Sequence, residues 1–231
     1  MFVQDKMKME RFGFLYLVVV FTICVRLSSA CTCDFPHPQN KFCSADFVVK
    51  ATIIEEKLEF GEDVDFPLMK HYKIQYKKRD ILKGEHLLGS QNEAVIKTSG
   101  TPWNCGMTFT LNTEYLISGH AQEGELFTNL CEWNKEFSRL KEGNHLQRRG
   151  IRRMYERGCN CTVFHCRGDA CYYPEARGLN PDHVCLWEGS YNTNDCYARF
   201  GFCLPDTFGL CYWKDNRKLA NCLNPDRESR R

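Results

Sequence analysis

Cysteine is the residue type with the clearest chemistry in this sequence, and its spacing favours disulfides over metal binding. Fifteen cysteines occur in 231 residues, and all but Cys24 come after residue 30. The first two of these, Cys31 and Cys33, have C-x-C spacing rather than the C-x₂₋₄-C spacing of zinc knuckles. The fourteen cysteines after residue 30 are an even number, so all of them can pair in an oxidising compartment. We therefore expect seven disulfides and no free thiol.

The remaining residues that could do chemistry form no enzyme motif. The sequence has no HExxH, no G-x-S-x-G and no Gly-rich phosphate loop. Its seven histidines show no metal-ligand spacing, and His37 in "HPQ" is interpreted as structural. We predict that the protein is not an enzyme and has no cofactor of its own.

Residues 1–30 have the features of a cleaved secretion signal. A basic start precedes the apolar run 12–24, and Ser28 and Ala30 are the small residues expected before a cleavage site. The run is shorter than the roughly 20 residues that span a membrane; an uncleaved anchor is the alternative. Cleavage after Ala30 would make Cys31 the first residue of a secreted, extracellular protein with no membrane insertion.

The charge of the mature chain is balanced. Residues 1–30 hold four of the 31 basic and two of the 29 acidic residues, which leaves 27 of each sign in residues 31–231. Global charge therefore indicates neither a nucleic acid partner nor an acidic substrate.

The density of cysteines along the chain predicts two domains. Six cysteines are spread over residues 31–159, and eight are crowded into residues 161–222. A long first domain can bury a real core, whereas a small second one depends on its bridges. We predict domains at 31–159 and 160–222, followed by a polar tail at 223–231.

The first domain reads as mainly β. Short apolar or alternating segments separated by turn residues predict a closed or nearly closed β-barrel. The predicted strands are 46–56, 70–82, 93–99, 106–111, 114–121 and 124–130. Two helices are predicted after them, at 132–140 and 145–157.

The second predicted helix is rich in arginine. Its basic residues are Arg148, Arg149, Arg152, Arg153 and Arg157. This pattern fits a face that binds a glycosaminoglycan, and it also fits a solvated helix face near the domain junction.

Several motifs together resemble the tissue inhibitors of metalloproteinases. The opening "CTC…HPQ…FC.ADFVVKA" of residues 31–51 is the most specific of them, and "NCG" (104–106), "EYLISG" (114–119), "LCEW" (130–133), "GCNC" (158–161), "CLW" (185–187) and "CYW" (211–213) agree with it. The resemblance extends to about Trp213. It implies an N-terminal OB-fold of the netrin-like kind with flanking helices, and a small disulfide-rich C-terminal domain.

The resemblance also implies six disulfides, residue by residue. They are Cys31–Cys105, Cys33–Cys131, Cys43–Cys159, Cys161–Cys211, Cys166–Cys171 and Cys185–Cys203. Cys196 and Cys222 lie outside that common pattern, and we predict that they pair with each other.

By resemblance, the N-terminus is the inhibitory end. The free amine and carbonyl of Cys31 would chelate the catalytic zinc of a secreted or membrane-bound metalloproteinase, which supplies the metal. Thr32 would enter the specificity pocket, followed along the cleft by Cys33, Asp34 and Phe35. Trp103 and Asn104 would contact the protease beside them.

Two of these positions are particular to this chain. Asp34 stands where the family more often has an apolar or small residue, and because it puts a charge in the groove, the protease preference stays open. Trp103, in "GTPWN", is either an anchor of the contact or a core residue.

Other motifs suggest further partners and modifications. Arg167, Gly168 and Asp169 form an RGD sequence between two cysteines, as in integrin ligands. Asn160 begins the sole N-x-S/T sequon and is the candidate N-glycosylation site. A netrin-like binding module that does not inhibit proteases is the alternative to inhibition. The two readings differ in whether the mature chain begins at Cys31 with a free amine.

Overall fold

The computed structural model describes residues 31–34, 36–62, 65–89, 91–143, 149–188 and 195–224. The predicted signal peptide, Phe35 and most of the predicted tail lie outside the described residues. Cys31 and Thr32 belong to a different compact unit from Cys33 and the residues after it. These two residues are therefore described separately. Within the described part of the chain, no helix has the length and apolar character needed to cross a membrane.

Five strands form a closed ring, which confirms the predicted mainly β fold. Hydrogen-bonded neighbours run β1–β2–β4–β6–β5, and β5 pairs again with β1; β3 and β7 extend the sheet from β1 and β5. The strands are β1 (Phe47–Phe60), β2 (Pro67–Gln75), β3 (Ile81–Lys83), β4 (Glu93–Ser99), β5 (Glu114–Gln122), β6 (Glu125–Phe127) and β7 (Lys135–Glu136).

The long strand β1 closes the ring because its two halves have different partners. Its first half pairs with β5, from Phe47 opposite Gly119 to Thr52 opposite Glu114. Its second half pairs with β2, and a register shift follows Ile53. Such an irregularity bends a strand, so one strand can serve both sides of a barrel.

Alternation along the strands fills the barrel. Phe47, Val49, Ala51 and Ile53 point to the same side of β1 and are buried with the inward residues of β2, β4 and β5. These include Tyr72, Ile74, Ile96, Tyr115 and Ile117.

A second core lies on the other side of the sheet. Val48 and Leu116 face helix α1 (Pro38–Ser44) and the helical segment Gly150–Met154. Phe202 and Leu204, from the cysteine-rich region, belong to the same core.

The cysteine-rich region consists of short elements held around disulfides. It contains a parallel pair, β8 (Thr162–Cys166) with β9 (Val184–Glu188), and an antiparallel pair, β10 (Cys203–Pro205) with β11 (Cys211–Trp213). Within the described residues, the short α-helices are α1, α2 (Glu85–Leu88), α3 (Phe137–Gly143), α4 (Cys196–Phe200) and α5 (Arg217–Leu223).

The structure confirms six of the seven predicted cysteine pairs. Its disulfides are Cys33–Cys131, Cys43–Cys159, Cys161–Cys211, Cys166–Cys171, Cys185–Cys203 and Cys196–Cys222. Cys31 and Cys105 are each disulfide-bonded as well. The pairing of these two with each other stays a prediction.

The predicted strand at 106–111 is wrong. These residues belong to no strand, and side chains accept the backbone N–H groups of three of them. Met107 donates to the Thr98 hydroxyl at 2.9 Å, and Thr110 donates to the Tyr115 hydroxyl at 3.2 Å.

Several other boundaries also differ from the prediction, and three of them change the length or type of an element. The strand predicted to reach residue 82 ends at Gln75, and a 3₁₀ turn, Lys78–Asp80, leads into β3. The helix predicted from residue 132 begins at Phe137, because Lys135–Glu136 pairs with β5. The strand predicted at 124–130 is reduced to β6. Of the helix predicted at 145–157, residues 145–148 lie outside the described residues.

Candidate functional site

The loop of residues 100–106 is held against the start of β2. Gly100 donates its backbone N–H to the Leu68 carbonyl at 2.9 Å. A Cβ at position 100 would lie 1.8 Å from the Pro67 carbonyl oxygen, so glycine is required for this close approach. The first residue of the loop is therefore held in a fixed position on the barrel.

A single tight turn gives the loop its shape. Pro102–Asn104 form a 3₁₀ turn, and Cys105 after it has a left-handed backbone with φ of 59°. The Thr101 carbonyl accepts hydrogen bonds from the N–H groups of Asn104 at 3.2 Å and Gly106 at 2.9 Å. The turn leaves the side chains of Trp103 and Asn104 exposed.

Trp103 is a surface residue and not part of the core, while its role as an anchor of the contact stays a prediction. Its side chain is 56% exposed and meets the ring of Phe66 edge to face, with centroids 5.8 Å apart. Phe66 is itself 41% exposed. Sequence reasoning missed Phe66, because no local pattern links the segment before β2 to a loop that follows β4.

A disulfide and a hydrogen bond connect two further segments to this loop. Cys33 is bridged to Cys131. Leu130, about half exposed, donates its N–H to the Cys105 carbonyl at 2.8 Å. We call residues 33–34, 100–106 and 130–131 the contact ridge.

A lysine on α1 also holds the contact ridge in place. Lys41 on α1 donates from its Nζ to the Cys131 carbonyl at 3.0 Å. Burial lowers the pKa of the Lys41 ammonium from its ordinary value, and the nearby Glu132 carboxylate opposes that shift. No local sequence pattern indicates this contact.

The predicted protease-contact residues that the structure describes are exposed, except for Cys33, which is half-buried. Asp34 and Asn104 are exposed on the contact ridge. Thr32 is exposed and Cys31 half-buried in the segment described by itself. Phe35 lies outside the described residues.

His37 is buried directly after the exposed N-terminal residues. Its Nδ1 accepts the Gln39 N–H at 3.1 Å, so Nε2 carries the proton and donates to the Tyr197 carbonyl at 2.9 Å. The rings of Trp187 and Trp213 lie 5.5 and 5.4 Å away. Burial lowers the pKa of His37 to about 4, and the bond to Tyr197 only partly offsets this. His37 is structural, as the sequence analysis interprets it.

Gln39 and Asn40 continue this contact with the cysteine-rich region. The Gln39 side chain donates to the carbonyls of Gly158 and Cys203 and accepts the Cys203 N–H. The Asn40 side chain donates to the Val163 carbonyl and accepts the Val163 N–H. We call residues 37–40 the HPQN clamp, because three of its side chains bind backbone groups more than 100 positions away.

The remaining motifs lie on the surface. Cys166–Cys171 closes the loop that carries the RGD sequence, and Arg167 and Gly168 are exposed on it. The Asp169 side chain is outside the described part. Asn160 is exposed in the turn before β8.

One group of sulfur atoms in the cysteine-rich region resembles a metal site only by proximity. The Sγ atoms of Cys161, Cys203 and Cys211 lie within 4.8 Å of one another. All three are in disulfides and therefore offer no thiolate to a metal.

Comparison with known proteins places this architecture in a family. The model of the family described as tissue inhibitor of metalloproteinase matches residues 29–213. Metalloproteinase inhibitor 3 of Gallus gallus is 28% identical over 208 residues, which cover 86% of this chain and 91% of that protein. Metalloproteinase inhibitor 2 of Homo sapiens is 29% identical over 196 residues, which cover 82% of this chain and 83% of that protein.

The family match includes the contact ridge, the HPQN clamp and most of the cysteine-rich region. Members of this family are inhibitors and not enzymes, in agreement with the missing enzyme motifs. The chain belongs to the tissue inhibitor of metalloproteinase family.

Proposed function

We propose that this protein is a secreted inhibitor of zinc metalloproteinases. The observation that carries the proposal is the family match over residues 29–213, which begins just before Cys31. The disulfides and the apolar start of the chain support secretion, because disulfides persist in oxidising compartments.

The proposed inhibitory group is the N-terminus that signal cleavage would create. An α-amine and the carbonyl of the same residue can form a five-membered chelate ring with a metal. The ordinary pKa of an α-amine is about 7.7–8, so its neutral form is accessible at neutral pH. Cys31 would supply both atoms to the protease's zinc, at the position that a catalytic zinc site leaves open. Its sulfur is in a disulfide and does not compete for the metal.

The neighbouring residues would then occupy the protease cleft. Thr32 enters the specificity pocket, and Cys33, Asp34 and Phe35 follow as a substrate-like strand. Trp103 and Asn104 contact the rim beside it. The exposure of Thr32, Asp34, Trp103 and Asn104 supports this assignment.

The rigidity of the contact ridge supports tight binding. The Cys33–Cys131 bridge, the Leu130–Cys105 hydrogen bond and the close packing of Gly100 fix three separate segments before any protease arrives. A preordered surface loses little conformational entropy on association, and this increases affinity.

Extending the N-terminus by one alanine tests the chelation. The amine of Cys31 would become an amide, and the added residue would clash at the zinc, so inhibition should fall by at least about 100-fold. We would titrate secreted metalloproteinases with the wild-type and the extended protein, after verifying by N-terminal sequencing that each begins as intended. An alanine added after Arg231 is the matched control.

The outcomes separate the proposal from its alternative. Full potency of the N-terminally extended protein would refute chelation while leaving inhibition by another mode. A secreted protein that does not begin at Cys31, and does not inhibit the panel, would instead favour a netrin-like binding module.

Integrin binding is a second candidate, which the closed RGD loop favours. The Cys166–Cys171 bridge constrains the loop, and Gly168 has a left-handed backbone with φ of 55°. We propose that Asp169→Glu abolishes cell adhesion to the immobilised protein and leaves protease inhibition intact. Equal adhesion to both proteins would eliminate this function.

A further inference from the structure

The helical segment after α3 has one buried and one basic side. Ile151, Met154 and Tyr155 are buried in the second core. The four arginines that alternate with them are all exposed: Arg149, Arg152, Arg153 and Arg157. We call these four residues the arginine face. It extends over roughly 12 Å at the usual helical rise of about 1.5 Å per residue.

Close packing fixes the orientation of this face. Tyr155 donates its N–H to the Gly150 carbonyl at 2.8 Å, which closes a π-helical turn over Gly150–Met154. A Cβ at position 150 would lie 2.5 Å from the Tyr155 ring. The segment is thus anchored at Tyr155, and its arginines are displayed on ordered backbone.

No carboxylate of the described residues pairs with the charges of the arginine face. Within the described residues, none of its four guanidinium groups forms an ion pair. The nearby Lys50 differs, because Glu114 pairs with it at 2.7 Å. Glu156 is the one acidic residue among positions 149–157.

We propose that the arginine face binds a sulfated polysaccharide. Guanidinium groups donate paired hydrogen bonds to oxyanions and are less strongly hydrated than ammonium groups, so arginine suits sulfate recognition. Because residues 31–231 carry equal numbers of basic and acidic groups, attraction of a polyanion must be local. In the extracellular compartment proposed above, sulfated polysaccharides are the polyanions at hand. This function is independent of protease inhibition.

A charge-matched pair of variants tests the proposal. The triple variant Arg149→Gln, Arg152→Gln, Arg153→Gln should bind immobilised heparin about tenfold more weakly and elute at lower NaCl concentration. The control variant Arg79→Gln, Arg177→Gln, Arg217→Gln removes the same charge from three other exposed positions and should elute like the wild type. Both variants should inhibit proteases normally.

Further probes use the wild-type protein, so they identify the ligand without relying on the folding of a variant. Wild-type protein should bind neither desulfated heparin nor phosphatidylserine vesicles, and heparin should protect the arginine face from phenylglyoxal, as mapped by mass spectrometry. Equal loss of binding in the two triple variants would overturn the proposal. So would stronger binding to the vesicles, or modification of the four arginines unaffected by heparin.

Discussion

Trp103 combines large exposed aromatic area with a fixed backbone. It lies on a 3₁₀ turn, and its edge contact with Phe66 limits its side-chain motion. Exposed aromatic residues on rigid loops are typical anchors of protein interfaces, since burying them excludes much water at little entropic cost.

Replacing Trp103 by alanine should weaken inhibition by about 10- to 100-fold. Stability should change by less than about 0.5 kcal/mol, because the side chain is 56% exposed. Inhibition constants and urea unfolding measure the two effects. Tyr173→Ala is the matched control, since it removes a 66% exposed aromatic from the cysteine-rich region and should leave inhibition unchanged. If both variants inhibit alike, Trp103 is not an anchor.

The elements were predictable where their pattern is local. Strand β4 matches its prediction at both ends, and β5 differs by one residue, because alternating apolar residues report a half-buried strand. Segment 106–111 has the same pattern, yet its N–H groups bond to the side chains of Thr98, Tyr72 and Tyr115. No local pattern contains such contacts. For the same reason the sequence does not predict the contacts made by Phe66 and Lys41, although it predicts Trp103 and Asp34 as contact residues.

Two buried threonines at the end of β4 should respond oppositely to loss of the hydroxyl. Thr98 accepts the Met107 N–H, whereas the Thr101 hydroxyl has no hydrogen-bond partner among the described residues. Thr98→Val should lower the free energy of unfolding by about 1–3 kcal/mol, because it leaves Met107 unsatisfied. Thr101→Val should be neutral or stabilising by up to about 1 kcal/mol. Urea unfolding compares them; a larger loss for Thr101→Val would contradict this account.

For the molecule as a whole, the HPQN clamp joins the segment before β1 to the cysteine-rich region. Its bonds reach Gly158, Val163, Tyr197 and Cys203. The second core also takes residues from both regions. Acid should weaken this junction, because protonated His37 would place a charge in an apolar site and lose the bond from Gln39.

The stability of the protein should therefore fall between about pH 6.5 and pH 4. His37 has a folded pKa of about 4, below its ordinary value of 6.5, so the unfolded chain takes up a proton first as the pH falls. The resulting loss in the free energy of unfolding is absent above pH 6.5 and reaches about 3 kcal/mol near pH 4. His37→Asn should be less stable at pH 7.5 but lose less stability on acidification than the wild type.

Urea unfolding at pH 7.5, 5.5 and 4.5 measures this difference. The control is His183→Asn, which replaces an exposed imidazole and should retain the wild-type pH dependence. If His37→Asn and the wild type lose equal stability on acidification, titration of His37 does not govern the junction.

The short distance along the chain between Asp34 and His37 has a consequence for engineering. Position 34 is exposed and open to substitution, while position 37 is fully enclosed and bonded on both ring nitrogens. A library that seeks new protease preferences should thus stop before residue 37. Variation beyond that residue would trade selectivity for misassembly, because residues 37–40 hold the segment before β1 against the cysteine-rich region.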